Sequence, residues 1–67
     1  MKNIVKEYRK KLGITQAELA TQAGVSRPYL SDIENEKVNP TLRTVGRIAE
    51  VLQCSIDDLF EDSREAQ

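Results

Sequence analysis

Two helix starts on either side of a single glycine constrain the fold of this chain more than any other feature. Thr15 and Glu18 form a capping box, in which the threonine hydroxyl can accept from the backbone N–H of Glu18 and the glutamate can reach back. Ser26 can cap a further helix, and Pro28 falls within its first turn, where proline costs no internal hydrogen bond. Gly24 lies between them and tolerates the left-handed conformation that a tight stop needs. The sequence therefore predicts two short helices joined by a tight turn.

Helical spacing also dominates the rest of the chain. Ile4, Tyr8 and Leu12 are four residues apart and predict one apolar stripe on a first helix, which Gly13 ends. Thr41 caps a fourth helix, whose predicted inner face consists of Leu42, Val45, Ile48, Ala49 and Leu52. Ser55 begins a short apolar fifth helix that contains Ile56, Leu59 and Phe60.

The predicted fold class is all-α, because aromatic residues are few and no apolar–polar alternation is sustained. We expect one compact five-helix bundle over residues 1–67, with residues 61–67 as a frayed acidic tail. In the central pair of helices, Ala20 is small where the helices would cross, and four apolar residues would fill the joint: Leu19, Val25, Leu30 and Ile33. Together with the caps, this pattern predicts a helix-turn-helix over residues 16–35, with 26–35 as the helix that enters the major groove of double-stranded DNA.

The charge distribution is consistent with such a surface. The net charge is −1, but residues 1–47 carry nine basic and five acidic side chains, a net charge of +4. Residues 48–67 carry one basic and six acidic side chains, a net charge of −5. DNA responds to the field on one face and not to the total charge. By charge alone, a DNA-facing surface and an ordinary solvated surface are equally well supported.

Composition argues against several other functions. With no histidine and the single cysteine Cys54, the chain can form neither an internal disulfide nor a Cys/His zinc site, and we expect Cys54 to fill a small apolar site. There is no glycine-rich phosphate loop and no nucleophile–base pair, so we expect no enzyme and no cofactor or metal. No apolar run reaches the length of a signal peptide or a membrane span, so we expect no membrane association and a cytoplasmic location at the nucleoid of a bacterial host.

Residues 4–60 resemble the phage-repressor and Cro-like helix-turn-helix family of bacterial and phage regulators. The segments that carry the resemblance are residues 12–20, 24–26, 29–35, 39–42 and 56–60. The chain departs from the family at Glu36, where a glycine often follows the recognition helix. This departure could alter the exit from the helix and one backbone approach to phosphate.

The resemblance implies a five-helix domain whose recognition helix meets base edges near its N-terminus. Arg27 could pair with guanine, Asp32 could accept from the cytosine amino group, and Pro28 could touch a thymine methyl, with Ser31 beside them. The alternatives are that Arg27 contacts only phosphate, that Pro28 only starts the helix and that Asp32 is simply solvated. The phosphate-contacting candidates are Gln16, Ser26, Tyr29, Asn35, Lys37, Asn39, Thr41 and Arg43. The alternatives are that Ser26 only caps its helix, that Tyr29 packs in the core, and that Gln16 and the loop residues are simply solvated.

The family also implies an ion pair between Arg9 and Glu34 and a symmetric dimer. The small core favours a dimer as well, and the apolar end of the chain suggests the interface residues Val51, Ile56, Leu59 and Phe60. The alternative is that Leu59 and Phe60 only close the core of their own domain. We expect a DNA-binding regulator that represses transcription as a homodimer on a palindromic operator, with a regulatory protein as a possible partner. The alternative class is an antitoxin or a protein-interaction module with the same fold.

Overall fold

Five helices make up the part of the chain described by the computed structural model, residues 3–60. They are α1 (Val5–Leu12), α2 (Gln16–Ala23), α3 (Arg27–Glu34), α4 (Leu42–Leu52) and α5 (Ile56–Leu59). Within residues 3–60 the only β-type pairing is an isolated antiparallel bridge between Asn3 and Phe60. The all-α, five-helix prediction is therefore confirmed, whereas the predicted frayed tail, residues 61–67, lies outside the described residues.

The helices begin where the sequence places their caps. The hydroxyl of Thr15 accepts from the backbone N–H of Glu18 at 3.1 Å, and the Glu18 carboxylate accepts from the N–H of Thr15 at 2.9 Å. The hydroxyl of Ser26 accepts from the backbone N–H of Tyr29 at 3.2 Å, which opens α3. These local bonds satisfy backbone donors that the first turn of a helix leaves free. They explain why two helices of only eight residues have sharp boundaries.

The turn between α2 and α3 needs glycine because of its backbone conformation. Gly24 has a φ of +74°, in the left-handed region that L-residues rarely adopt. A Cβ atom at this position would lie 3.0 Å from Nη1 of Arg47, the end of an exposed, flexible side chain that can shift. The positive φ is therefore what favours glycine in this turn.

The core lies between α2, α3 and α4 and is closed by α1 and α5. Its largest fully buried side chains are Phe60, Leu19, Leu30, Ile33, Ile48, Leu52, Leu59 and Val5. The α3 helix contributes Leu30 and Ile33 to this core, which leaves the opposite side of the same helix facing outward. Packing therefore decides which residues of α3 are available to a partner.

The apolar stripe predicted for the first helix is only partly buried, and one residue predicted for the inner face of the fourth helix is exposed. Ile4, just before α1, and Leu12, at its end, are 42% and 50% exposed, whereas Tyr8 of the same stripe is half-buried against the core. The buried residues of α1 are Val5 and Arg9, and an arginine can occupy such a position because its charge is paired. On α4, Leu42 is 77% exposed, since it occupies the first position of the helix, before the buried face begins.

Candidate nucleic-acid interface

Four predicted base-contacting residues lie together on the outward side of α3. Arg27 and Pro28 are exposed in its first turn, and Ser31 and Asp32 are half-buried one turn later. Residues four apart on a helix lie one above the other, so Arg27 is stacked with Ser31 and Pro28 with Asp32. The structure thus brings all four side chains to one surface, which we call the α3 outer face: Arg27, Pro28, Ser31 and Asp32.

The predicted phosphate-contacting residues differ in how exposed their side chains are and in whether they already have partners in the protein. Lys37, Asn39 and Arg43 are exposed in the loop after α3 and at the start of α4, and Asn35 and Thr41 are exposed beside them. Ser26 is exposed just before α3. Tyr29 is half-buried and packs against the core, so part of its ring has a structural role. The hydroxyls of Ser26 and Thr41 both accept from backbone N–H groups as helix caps.

A nearly buried ion pair joins α1 to the end of α3, as the resemblance implied. Arg9 Nε donates to Glu34 Oε2 at 2.8 Å, and Arg9 Nη2 donates to Glu34 Oε1 at 3.2 Å. The two side chains are only 10% and 2% exposed. Arg9 Nη1 also donates to the carbonyl oxygen of Ile14 at 3.1 Å, so the guanidinium has partners on three of its nitrogens. Two charges can be buried here because each is hydrogen-bonded.

Gln16 connects this ion pair to the α3 outer face. Its amide Nε2 donates to Glu34 Oε1 at 3.1 Å, and its Oε1 accepts from Arg27 Nε at 3.4 Å. Sequence reasoning assigned Gln16 to phosphate and did not anticipate that the side chain has two protein partners. No local pattern could have shown this, because the three residues come from α2 and from both ends of α3.

The exit from α3 is held by a residue that the sequence analysis did not single out. Asn3 Nδ2 donates to the carbonyl oxygen of Ile33 at 3.0 Å, and the backbone N–H of Asn3 donates to Glu36 Oε2 at 3.2 Å. Glu36 itself has a φ of +62°, in the left-handed region that glycine adopts at lower cost than other residues. The only signal for Asn3 was its position just before α1, where its side-chain oxygen accepts from the N–H of Val5 at 3.1 Å.

The structure corrects part of the predicted dimer interface. The side chains of Leu59 and Phe60 are 1% and 0% exposed, because they close the core of their own domain. Their backbone is tied down as well, since the N–H of Ile4 donates to the carbonyl oxygen of Leu59 at 2.9 Å. Val51 and Ile56 are half-buried and keep some exposed surface, so their role in a dimer interface stays a prediction.

Within residues 3–60 we looked for a reactive cysteine, a metal site and a membrane-spanning helix. Cys54 is half-buried, and burial, together with the negative charge of Asp58, raises the pKa of its thiol. A raised pKa disfavours the reactive thiolate and fits a packing role. Among the described residues, no three potential metal ligands lie together, and no helix is both long and apolar enough to cross a membrane.

Comparison with known proteins agrees with this architecture. Residues 5–59 match the protein family described as helix-turn-helix. An uncharacterized HTH-type transcriptional regulator from Archaeoglobus fulgidus is 43% identical over 60 residues, which cover 90% of this chain and 86% of that protein.

Two regulators with solved structures are also similar. SinR from Bacillus subtilis is 38% identical over 94% of this chain, which spans 58% of the length of SinR. A structure of SinR in complex with DNA superimposes with a TM-score of 0.74, 39% identity and coverage of 79% of this chain and 86% of that one. The SinR–SinI protein complex gives a TM-score of 0.80 at 36% identity, covering 94% and 62%.

The P22 c2 repressor in complex with a synthetic operator superimposes with a TM-score of 0.75 and 36% identity. This alignment covers 79% of the present chain and 80% of the repressor chain. The family match, residues 5–59, has the same extent as the five helices described above. The chain is therefore a member of the helix-turn-helix family of DNA-binding transcriptional regulators, of the phage-repressor type, and is not an enzyme.

Proposed function

We propose that this protein is a repressor that binds a palindromic operator as a homodimer, with α3 in the major groove. The observation that carries the proposal is the α3 outer face, where a cation, a proline and two short polar side chains project from a helix whose other side is buried. A major groove admits one α-helix, and side chains near the N-terminus of that helix contact base edges. The outer face has this position and chemistry.

Arg27 and Asp32 divide the contacts to bases. Arg27 is exposed in the first turn of α3, and a guanidinium can donate two parallel hydrogen bonds to O6 and N7 of guanine. Asp32 lies more than one turn further along the same face and can accept from the amino group of cytosine. Pro28 adds apolar contact to a thymine methyl, and Ser31 can bond to several base edges.

Contacts to phosphate hold the helix in register. Lys37 and Arg43 are exposed cations after α3, in the region that follows the recognition helix. Such contacts attract DNA of any sequence and weaken as salt rises, because each one releases condensed counterions. The structures of SinR with DNA and of the P22 c2 repressor with a synthetic operator support the assignment of DNA binding to this fold.

A symmetric dimer would place two copies of α3 about 34 Å apart, one turn of DNA, so that each contacts one half-site. Since Leu59 and Phe60 are buried, Val51 and Ile56 would provide the apolar contact between copies. Sedimentation at micromolar concentration, with and without operator DNA, tests this arrangement. A monomer that binds one asymmetric half-site would contradict it.

A regulatory protein partner is the second part of the proposal. It is supported by the SinR–SinI complex, in which a similar chain is bound to another protein.

The proposed location follows from DNA binding. A regulator of operator DNA works where the chromosome is, so we place this protein in the cytoplasm at the nucleoid.

The alternative function is an antitoxin or a protein-interaction module with the same fold. Such a protein would need no row of base-contacting residues on α3.

Selection of bound sequences from random duplex DNA tests the function most broadly. We expect enrichment of a two-fold symmetric sequence with a guanine at one position of each half-site. Arg27→Ala is the matched control, since it should lose preference at that position alone. Failure of the wild-type protein to enrich any sequence would contradict the proposal and favour the interaction-module alternative.

A further inference from the structure

We infer that Glu34, whose side chain is only 2% exposed, is a positioning residue for base recognition. It acts through Gln16 to fix the direction of the Arg27 guanidinium. The inference rests on the proposed function of Arg27 and adds the structural reason why this arginine selects guanine. The carrying observation is a continuous line of hydrogen bonds from the nearly buried Arg9–Glu34 pair to the exposed start of α3.

The first step is the immobility of the Glu34 carboxylate. Its side chain is 2% exposed and accepts two hydrogen bonds from Arg9, at 2.8 and 3.2 Å. Rotation of the carboxylate would leave the arginine charge without its partner in a site with little water, which is strongly unfavourable. Glu34 is therefore a fixed acceptor at the inner end of the line.

The second step is the orientation of the Gln16 amide. An amide is nearly symmetric in shape, and its oxygen and nitrogen could exchange places at little steric cost. An ionised carboxylate only accepts hydrogen bonds, so Glu34 selects the orientation in which Nε2 of Gln16 points inward, at 3.1 Å from Oε1. The amide oxygen must then point outward, where it accepts from Arg27 Nε at 3.4 Å.

The Arg27 guanidinium still has hydrogen-bond donors for a base after Gln16 has engaged Nε. A guanidinium is a planar fork with five N–H donors, one on Nε and two on each Nη nitrogen. Because Gln16 engages Nε, the Nη1 and Nη2 donors remain available on the other edges of the plane. A bidentate contact to guanine uses two parallel donors of this kind, and holding the plane in advance reduces the side-chain freedom lost on binding. The expected result is selectivity for guanine and not a general gain in affinity.

The test uses the double variant Arg9→Met with Glu34→Leu, which removes both charges and so leaves neither one unpaired. Binding is measured to the selected operator, to each single base-pair variant of it and to unrelated duplex DNA. We expect preference at the Arg27 base pair to fall by about fivefold or more, whereas preference at other positions and binding to unrelated DNA stay unchanged. Ile48→Val, a mild core change away from this line, is the control: it should lower thermal stability and leave every preference intact.

Two further variants separate positioning from structure. Gln16→Ala removes the connection but leaves the ion pair, so preference at the Arg27 base pair should fall by a similar factor even if the double variant folds poorly. Loss of the predicted phosphate contact of Gln16 would weaken binding to every duplex alike and leave the other preferences unchanged. In an Arg27→Ala background, the double variant should cause no additional loss at that base pair, because its effect passes through Arg27.

Unchanged preference in both the double variant and Gln16→Ala would overturn the inference, as would an equal loss at every operator position. In either case Arg27→Ala would still remove preference at one position, so the proposed function would stand. A wild-type protein without any sequence preference would overturn both together.

Discussion

Removal of the Glu34 carboxylate should destabilise this domain more than any exposed charge change. In Glu34→Ala the Arg9 guanidinium would keep only the Ile14 carbonyl, and Gln16 would lose the acceptor of its amide. Breaking a buried pair by removing one partner costs about 3 kcal/mol or more, because the remaining charge stays desolvated. The side chains of Arg9 and Glu34 are only 10% and 2% exposed, so the cost for a buried pair applies. Loss of a surface pair would cost less than about 1 kcal/mol.

This loss is large for so small a domain. A chain of this length has a free energy of unfolding of roughly 3–10 kcal/mol. Since 1 kcal/mol shifts the melting temperature of a small domain by about 4–8 °C, we expect Glu34→Ala to melt about 12–24 °C below wild type. Far-UV circular dichroism during heating, with urea titration at 25 °C, measures both quantities.

Two comparison variants give the measurement its meaning. Glu50→Ala removes an exposed carboxylate from α4 and should change stability by less than about 0.5 kcal/mol. Arg9→Met combined with Glu34→Leu replaces the pair with apolar side chains and should recover part of the loss. A Glu34→Ala protein that melts within about 2 °C of wild type would refute the reasoning, because the carboxylate would then have no net role in the fold.

Three further predictions concern single positions. Gly46→Ala should stabilise the protein by about 1 kcal/mol, because a Cβ in this part of α4 meets nothing within 4 Å and alanine favours helix. Gln53→Gly should also stabilise it by about 1 kcal/mol, since residue 53 ends α4 with a φ of +58°. The Thr15 N–H lowers the pKa of Glu18 below its ordinary value of 4.5, so wild type should be more stable than Glu18→Gln above that pH. A depressed folded-state pKa means that this advantage disappears as the pH falls through the lowered pKa.

Urea unfolding checks all three. A destabilised Gly46→Ala protein would show that the backbone around residue 46 is under a constraint that the open space does not reveal. Glu36→Gly is the contrast for Gln53→Gly: it also relieves a positive φ, of 62°, but loses the contact from Asn3, so it should gain less. For Glu18→Gln, a difference from wild type that does not change between about pH 6 and pH 3 would exclude the carboxylate as its source.

The helix boundaries could be predicted from sequence because they depend on local chemistry. Thr15, Ser26 and Thr41 each cap the helix predicted for them, and Gly24 ends α2 in the left-handed conformation. A cap needs only a side chain and the backbone within three residues of it, so its signal survives in one sequence.

Tertiary partners account for what the sequence could not show. The inner position of α1 belongs to Arg9, and a search for apolar spacing misses it because the partner that neutralises Arg9 lies 25 residues away. Leu59 and Phe60 look like a free apolar surface until their burial in the core is known. Asn3 contacts the end of α3 across 30 residues or more, a distance at which no local pattern is informative.

In the candidate site, too, local features could be predicted from the sequence and tertiary contacts could not. The α3 outer face could be predicted, since residues 27, 28, 31 and 32 share a side of any helix that begins at Ser26. The two bonds of Gln16 could not, because they depend on how α2 lies against both ends of α3.

One binding measurement tests directly whether Arg27 selects a base while Lys37 contacts only the DNA phosphates. Wild type, Arg27→Ala and Lys37→Ala are titrated with the selected operator and its single base-pair variants at several salt concentrations. Arg27→Ala should lose about 1–3 kcal/mol on the operator and flatten one position in each half-site. Lys37→Ala should weaken all sequences alike and reduce the salt slope by about one for each phosphate contact removed. If Arg27→Ala instead weakens every sequence equally and changes only the salt slope, Arg27 is a phosphate contact and the assignment of base recognition to this residue is wrong.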